Sequence, residues 1–484
     1  MKKKICIPFI LLVLMTITSI LQGCKTQDQF IDTPVYQNIV IEKQDTIGFE
    51  WIDNTKPSQI EKKVQLNWKL SLKDERWQDW NCDNKSVWML DKQGNLFQID
   101  INTGKTVYHF TSQAWFATQL HDRSRLFMLA RQEDGTIELQ AYQPNKKSIA
   151  WTKSLEDKTA IFAGNKIMNG ILYIGNQSGI LFALRVKDGS ELWRLDTKQE
   201  IRSDTFFYEN TLYFTTKDST CYAVDKSNGK VLWKHKGVFT RKTTFPSEFR
   251  LFSHIDGKIG YFGNSFEPFT LLDAATGKVY WEYPYSSDAI QSYADAASKN
   301  LDVPNWDRSF PKWTISSFEK PLTVKDKLVL LFESNFRQDL HVLDPSTKKV
   351  IWQKEKIEFC LKTDDEKMVV GRYELNKDSN RYIAMLEKLD PEIGNVIWRN
   401  DKFSEVVNKE GIHFGEAQII NKYILINENY GENLFLIDTT NGDLVWAYSS
   451  NDSSLNFVNI SVYDNVFFVE QLKSNSLFCF QILN

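Results

Sequence analysis

The chain has 484 residues, of which 13% are aromatic, so it can bury a large core and is longer than one typical domain. It carries 59 basic and 62 acidic residues, a net charge of −3. Residues 1–23 hold three lysines and no acid, so without them 56 basic residues face 62 acidic ones, a net charge of −6. This mildly acidic body argues against nucleic acid as the main partner.

The first 24 residues are typical of a bacterial lipoprotein. Lysines at 2–4 precede an apolar run over 5–20, which is followed by Leu-Gln-Gly-Cys at 21–24. The run is short for a membrane span, and a small residue precedes the cysteine as processing requires. We therefore predict a signal peptide over 1–23 and a lipid on Cys24. The alternative is an uncleaved signal anchor with an incidental cysteine.

The residues after the cysteine bear on location. Lys25 stands where an aspartate would resemble an inner-membrane retention signal, so the outer membrane is favoured. Residues 24–63 are predicted to be the lipidated cysteine and a flexible tether. A multiply acylated cysteine anchors stably to a bilayer. The sequence leaves open which side of the outer membrane the protein faces.

A short phrase recurs along the rest of the chain. In its clearest copy Asp225 precedes Gly229 and then Trp233, eight positions after the aspartate. The aspartate can accept hydrogen bonds from turn amides and the glycine can adopt positive φ, so the phrase predicts a tight β-hairpin. The aspartates at this position are Asp100, Asp225, Asp273, Asp344, Asp390 and Asp438. The aromatic residues assigned to the last strand of each unit are Trp68, Tyr108, Trp151, Trp193, Trp233, Trp281, Trp352, Trp398 and Trp446.

Each unit reads as four short β-strands, for example 161–168, 172–175, 181–184 and 191–195. Neighbouring phrases mostly lie about 40 to 48 residues apart, and four antiparallel strands at this period predict an all-β propeller. A tryptophan on the fourth strand would fill the space between neighbouring sheets. The literal count of units is nine.

The pattern Ala-x-Asp-x-x-x-Gly-x-x-x-Trp, nearest in Ala223, Asp225, Gly229 and Trp233, resembles the repeat of pyrroloquinoline-quinone-type propellers. That superfamily includes quinoprotein dehydrogenases and the BamB family of outer-membrane assembly lipoproteins, which bind no quinone. The resemblance covers roughly 64–484 and implies eight blades. We predict a single propeller of eight or nine blades over these residues.

Closure of the ring can be predicted from the two ends of the repeat region. The last unit supplies runs at 456–462, 466–471 and 477–482, one strand short of a blade. The run from Val64 to Leu70 holds Trp68 without a preceding hairpin. We therefore expect this strand to complete the last blade and remove exposed sheet edges.

The period is interrupted between Trp281 and Trp352 by an insertion over about 285–313. Its first half is predicted to be helical, and its second half is rich in aromatic residues and proline. Long second-to-third turns and blade connections are expected on the same face of the ring. The candidate partner face is Trp306, Phe310, Trp313 and Arg337. The alternative is that these rings only pack the insertion onto the propeller.

The sequence holds no recognisable catalytic or metal-binding constellation. Its six histidines are scattered, and the Gly-Lys-Thr at 104–106 lacks the earlier glycine of a phosphate loop because Ile99 stands there. Resemblance to a quinoprotein dehydrogenase would imply adjacent cysteines against the quinone and a calcium site, yet no Cys-Cys occurs. We expect no enzymatic activity, no cofactor and no metal.

Four further cysteines follow Cys24, all in different repeats. We interpret them as small buried apolar residues. The four are Cys82, Cys221, Cys360 and Cys479. The alternative is disulfide formation in an exported protein. Cys82 and Cys479 are the candidate pair, because ring closure would make their repeats neighbours.

The leading functional hypothesis is a non-enzymatic outer-membrane lipoprotein scaffold that resembles BamB and binds proteins in β-barrel assembly or envelope organisation. One alternative is a surface lipoprotein that binds glycan or peptide through its aromatic-rich loops, with Trp306 and Trp313 as candidate contacts. A quinoprotein dehydrogenase is the minor alternative.

Overall fold

The computed structural model describes most of the propeller region and one short segment before it. The described residues are 39–43, 64–72, 77–82, 85–91, 95–111, 114–122, 125–143, 146–158, 162–201, 203, 205–237, 252–262, 268–284, 314–315, 321–334, 337–376, 381–403, 412–429, 431, 433–449, 457–471 and 476–483. Within them the regular structure is almost entirely β-strand, in 38 strands that form nine antiparallel sheets.

Each sheet is one blade, numbered here in chain order. Two strands precede blade 1, namely β1 (Ile39–Lys43) and β2 (Val64–Leu72). Blades 1 to 3 contain β3 (Trp77–Cys82), β4 (Ser86–Asp91), β5 (Asn95–Asp100), β6 (Thr106–Thr111), β7 (Ala114–Asp122), β8 (Arg125–Arg131), β9 (Ile137–Gln143), β10 (Ser148–Ser154), β11 (Phe162–Met168), β12 (Ile171–Asn176), β13 (Ile180–Arg185) and β14 (Glu191–Asp196).

Blades 4 to 6 contain β15 (Phe206–Tyr208), β16 (Thr211–Thr215), β17 (Thr220–Asp225), β18 (Val231–Lys236), β19 (Phe252–Ile255), β20 (Lys258–Phe262), β21 (Phe269–Asp273), β22 (Val279–Tyr283), β23 (Thr314–Ile315), β24 (Leu322–Val324), β25 (Lys327–Ser334), β26 (Arg337–Asp344) and β27 (Lys349–Glu355). In blade 6, β23 and β24 both pair with β25 and together take the place of the first strand.

Blades 7 to 9 contain β28 (Ile357–Lys362), β29 (Met368–Asn376), β30 (Arg381–Leu389), β31 (Val396–Asn400), β32 (Phe414–Ile420), β33 (Tyr423–Glu428), β34 (Asn433–Asp438), β35 (Leu444–Ser449), β36 (Phe457–Tyr463), β37 (Val466–Gln471) and β38 (Ser476–Ile482). A long second-to-third turn is predicted by the sequence over 373–381, but the strands extend into this range, because residues 368–376 of β29 pair with 381–389 of β30.

The sheets form a ring in which the first strands of successive blades contact one another, as β3 does with β7 and β28 with β32. The predicted all-β propeller is confirmed, and the literal count of nine is the correct one, one more than the eight that family resemblance implied.

The second and third strands of each blade form the core because both of their faces are covered by neighbouring sheets. Every residue of β33 and of β34 is buried. The fourth strand lies at the rim and alternates, as in β18, where half-buried and exposed side chains follow one another. The hydrophobic clusters accordingly join adjacent blades, and one of them spans β32 to β38 with Val64 and Leu66 of β2.

The ring closes as predicted. β2 pairs with β38, from Val64 opposite Ile482 to Ser71 opposite Ser476, and becomes the fourth strand of blade 9. The sequence did not predict β1, which pairs antiparallel with β2 as a fifth, outermost strand. Blade 9 therefore combines the first and last strands of the chain, and its outer edge is partly covered.

Candidate functional site

The ring has two different faces. The hairpin face carries the turns between first and second strands and between third and fourth strands. The loop face carries the turns between second and third strands and the connections between blades. The recurring aspartates lie on the hairpin face, and the insertion over 285–313 starts from the loop face, because it follows the end of the fourth strand of blade 5.

The aspartate of the repeat organises its turn. Asp225 Oδ1 accepts hydrogen bonds from the Ser227 amide at 2.8 Å and hydroxyl at 2.6 Å, and the Gly229 amide donates to the Asp225 carbonyl. The bonds from Ser227 lower the pKa of Asp225. A matching bond from Ser346 lowers the pKa of Asp344 to about 2. These carboxylates therefore serve as turn acceptors.

The tryptophan of one blade docks on the turn of the next blade. The indole N–H of Trp193 donates to the carbonyl of Lys226, the residue after the repeat aspartate, and its ring covers Gly229. The same contact recurs around the ring, with carbonyl acceptors 2.9 to 3.1 Å away. The donor and acceptor pairs are Trp68 with Ile101, Trp151 with Val186, Trp193 with Lys226, Trp233 with Ala274, Trp352 with Pro391, and Trp398 with Thr439.

A β-bulge precedes the repeat aromatic in all nine blades. In blade 4, Val231 pairs with Val224 and Trp233 with Ala223, so Leu232 is the extra residue. A bulge bends the strand and redirects the following side chain, here towards the next blade. It also turns apolar side chains outwards, which accounts for the exposure of Val107, Leu232, Ile351 and Ile397.

Two turns lack the repeat glycine, and in both a lysine replaces it. Lys147 and Lys348 adopt φ of 51° and 57°. The Lys147 ammonium lies 4.8 Å from the Tyr108 ring centre, and that of Lys348 lies 4.3 Å from the Tyr280 ring centre. In blade 5 the bulged residue, Tyr280, makes the docking bond to Pro345, and Trp281 packs in the neighbouring core cluster.

The Trp193 ring lies close to the turn at Gly229, so we expect a methyl group at this glycine to lower the free energy of unfolding. A Cβ there would lie 2.7 Å from the Trp193 ring, whereas one at Gly257, with similar φ, would meet no atom within 4 Å. We expect Gly257→Ala to lower the free energy of unfolding by about 1 kcal/mol through backbone strain. Gly229→Ala should add the cost of overpacking, for a total of about 2–4 kcal/mol. Urea unfolding of both variants measures the difference, and equal losses would show that the docking contact is loose.

The predicted partner-face residues lie mostly outside the described part of the structure. This holds for Trp306, Phe310 and Trp313. Arg337 begins β26 at the loop face, and its side chain is also outside the described part. The described residues flanking the insertion, Pro284 and Thr314, are both at the loop face.

The base of the insertion is attached to blade 6. The Tyr283 hydroxyl lies 2.6 Å from His341 Nδ1, and the His341 ring packs 4.7 Å from that of Phe332, centre to centre. His341 is almost fully buried. Burial lowers the pKa of His341 from 6.5 to about 4, so the imidazole is neutral near pH 7.

Because His341 is buried in its neutral form, we expect the stability of the fold to fall in acid. Its folded pKa is below its ordinary value, so the unfolded chain binds the proton more tightly. The contribution to stability is complete above pH 6.5 and is lost as the pH falls towards 4, by roughly 2–3 kcal/mol. We expect His341→Gln to remove this part of the pH dependence, measured as the difference in unfolding free energy between variant and parent at pH 7.5 and pH 4.5. Parallel pH profiles would contradict the assignment.

A buried carboxylate joins blades 6 and 7. Glu387 has a fully buried side chain, and it pairs with Lys354 at 2.6 Å, Arg372 at 3.0 Å and Arg399 at 2.6 Å. Burial alone would raise the pKa of Glu387, but hydrogen bonds from Lys354 and Arg372 outweigh it and hold the pKa below its usual value. No sequence motif marks this cluster, because its members come from four strands.

The cysteines match the interpretation as small buried residues for the most part. Cys221, Cys360 and Cys479 are buried and Cys82 is half-buried. Cys82 and Cys479 pack in one hydrophobic cluster where blade 9 meets blade 1, and burial raises the pKa of Cys479. Cys24 lies outside the described residues.

The described residues do not provide the groups that the quinoprotein resemblance would require. The sequence has no adjacent cysteines. Across the described ranges no three His, Cys, Asp or Glu side chains are grouped so that they could hold a metal ion. The residues that the structure describes therefore do not fit a quinone with its calcium. The described part of the chain also has no helix long and apolar enough to cross a membrane.

Comparison with known proteins gives two kinds of relative. A quinoprotein ethanol dehydrogenase of Pseudomonas aeruginosa is 24% identical over 203 residues, which is 36% of this chain and 32% of that protein. The assembly factor BamB of Legionella pneumophila is 27% identical over 81 residues, 17% of this chain and 21% of that protein. The chain thus spans a third or less of the length of these curated relatives.

A solved structure of BamB from Moraxella catarrhalis is 11% identical, with a TM-score of 0.46, and the match covers 87% of this chain and 100% of that one. The family model described as outer membrane protein assembly factor BamB matches residues 133–354 and 305–469. The two ranges of the family model together cover residues 133–469, more than half of the chain, so the chain belongs to this BamB family.

Proposed function

We propose that the protein is a non-enzymatic lipoprotein scaffold of the outer membrane, which binds partner proteins in β-barrel assembly or envelope organisation. The observation that carries the proposal is the family match over residues 133–469. The signal peptide predicted over 1–23 and the Leu-Gln-Gly-Cys at 21–24 support anchoring through a lipid on Cys24.

The architecture supports a role in binding. Nine blades form a closed ring in which docking contacts join most neighbouring blades, so the ring can present loops in fixed positions. The described residues that flank the insertion lie at the face that carries the connections between blades, so we assign partner contact to the loop face. Attachment to the membrane raises the effective concentration of a partner in the same membrane, so even a weak contact is occupied.

Cross-linking in intact cells, followed by mass spectrometry, tests this function. We expect an outer-membrane assembly component in the adduct. Alanine substitutions at Trp306, Phe310 and Arg337 should abolish the adduct, and matched substitutions at Lys187 and Lys230 on the hairpin face should leave it intact. The reverse result would contradict the assignment of the loop face.

The second candidate is a surface lipoprotein that binds glycan or peptide. The aromatic residues of the insertion favour it, because exposed indole rings can contact sugar faces. Degradation of the propeller by protease added to intact cells, together with an adduct that lacks assembly components, would support this candidate. A redox chromophore in the purified protein would contradict both binding functions and favour a quinoprotein dehydrogenase.

A further inference from the structure

Strand β1 lies inside the segment predicted to be a flexible tether. It pairs with β2 in register from Ile39 opposite Leu72 to Lys43 opposite Trp68. Only residues 25–38 therefore separate Cys24 from the ring. Fourteen residues span at most about 50 Å, whereas the 39 residues over 25–63 would span about 135 Å. The pairing shortens the reach of the tether almost threefold.

The direction of β1 determines where the tether joins the ring. β2 runs from Val64, opposite the end of β38, to Leu72, where the chain continues to blade 1 at the loop face. Because β1 is antiparallel to β2 and Ile39 lies opposite Leu72, the chain arriving from Cys24 reaches the ring at the loop face.

The same face carries the insertion over 285–313. Pro284 follows the end of β22, the fourth strand of blade 5. Thr314 pairs with Glu333, next to the loop-face end of β25. The chain therefore enters β1, leaves β22 and enters β23 at the same face of the ring.

Charge does not supply this orientation in the described part of blades 3 and 4. The loop-face lysines Lys198, Lys217 and Lys236 form ion pairs with Asp196, Glu200 and Asp218, respectively. Paired lysines attract anionic lipid weakly, so these three residues do not provide a directional anchor.

We propose that β1 is a strap that orients the ring, with its loop face towards the bilayer that holds the lipid. The partner it fits is a protein embedded in that membrane or lying against it, within about 50 Å of the lipid. The inference rests on the proposed lipid at Cys24. Membership of the BamB family does not state which side of the ring contacts a membrane partner. The strap assigns this contact to the loop face.

Energy transfer to lipid headgroups measures the orientation. The mature lipoprotein is placed in phosphatidylethanolamine and phosphatidylglycerol vesicles that carry an acceptor dye on their headgroups. A donor dye is attached through azidophenylalanine at Glu133, in the loop-face turn of blade 2, or at Lys187, in the hairpin-face turn of blade 3. Six-residue strands separate the two faces by about 20 Å. We expect transfer from position 133 to be at least twofold higher than from position 187.

A strap variant provides the matched control. Val40→Pro with Ile41→Pro removes two successive backbone donors of β1, one of which faces β2, and leaves the propeller strands unchanged. We expect this variant to stay on the vesicles with the two transfer values within about 20% of each other. Equal transfer in the unmodified protein, or an unchanged difference in the proline variant, would overturn the strap.

The mass of the intact protein separates this inference from the proposed function. A mass showing lipid on Cys24, combined with equal transfer from both faces, overturns only the strap. A mass without lipid overturns the anchor, and the strap with it. Lipid on Cys24 with the expected twofold difference supports both.

Discussion

Glu387→Ala is expected to lower the free energy of unfolding by about 3–5 kcal/mol, because it leaves three cations at the joint of blades 6 and 7 without their buried counter-ion. Lys354, Arg372 and Arg399 all contact this one carboxylate, whose side chain is fully buried. Truncating one member of a buried charge cluster costs more than the cluster itself contributes. Urea unfolding, monitored by tryptophan fluorescence, measures the loss of unfolding free energy.

Glu374→Ala is the matched control. Glu374 accepts a hydrogen bond from the same arginine, Arg372, at 3.1 Å, but its side chain is 54% exposed. An exposed pair is worth less than about 1 kcal/mol. If both alanine variants lost the same stability, the burial of Glu387 would not be the source of its effect.

Trp68→Ala is expected to cost about 3–5 kcal/mol, the range for deleting a buried aromatic side chain. Trp68 is fully buried, donates to the Ile101 carbonyl at 2.9 Å and covers Gly104. It lies on the strand that closes the ring, so its loss should open the contact between blades 9 and 1 in particular. Trp68→Phe keeps most of the packing and should cost about 1–2 kcal/mol, because the Ile101 carbonyl loses the indole donor and keeps the weaker bond from the Cys479 thiol at 3.6 Å.

Amide hydrogen exchange shows which strands are destabilised by the loss of Trp68. In Trp68→Ala we expect faster exchange in β2, β38 and the turn after β5, with blades 3 to 5 unchanged. Faster exchange spread evenly over all blades would contradict a local role for Trp68 in closure.

The sequence predicted the fold because its signals are local and repeated. Asp225, Gly229 and Trp233 lie within nine residues of one another and specify a hairpin without reference to the rest of the chain. The eight fourth-strand aromatic residues from Tyr108 to Trp446, together with the lone Trp68, gave the literal count of nine blades and predicted the way in which the ring closes.

The contacts that the sequence did not predict depend on a different residue at a repeat position or on strands that are far apart in the sequence. Lys147 and Lys348 take the place of glycine at positive φ, a role that the glycine pattern does not anticipate. The bulge before each aromatic explains why Tyr280 can dock in place of Trp281, yet a bulge leaves no mark in a period of two residues. β1 pairs beyond the repeat, so no periodic signal predicts it.

The union of early and late strands in blade 9 has a consequence for biosynthesis. Ser71 and Ser476, whose hydroxyls are 2.6 Å apart, are separated by 405 positions along the chain. β2 is therefore made long before its partner β38, and blade 9 is the last sheet that can be completed. A chain cut short before residue 476 would keep two open sheet edges, which are prone to pair with other chains. Ring closure therefore requires that synthesis has continued through β38, at Ser476–Ile482.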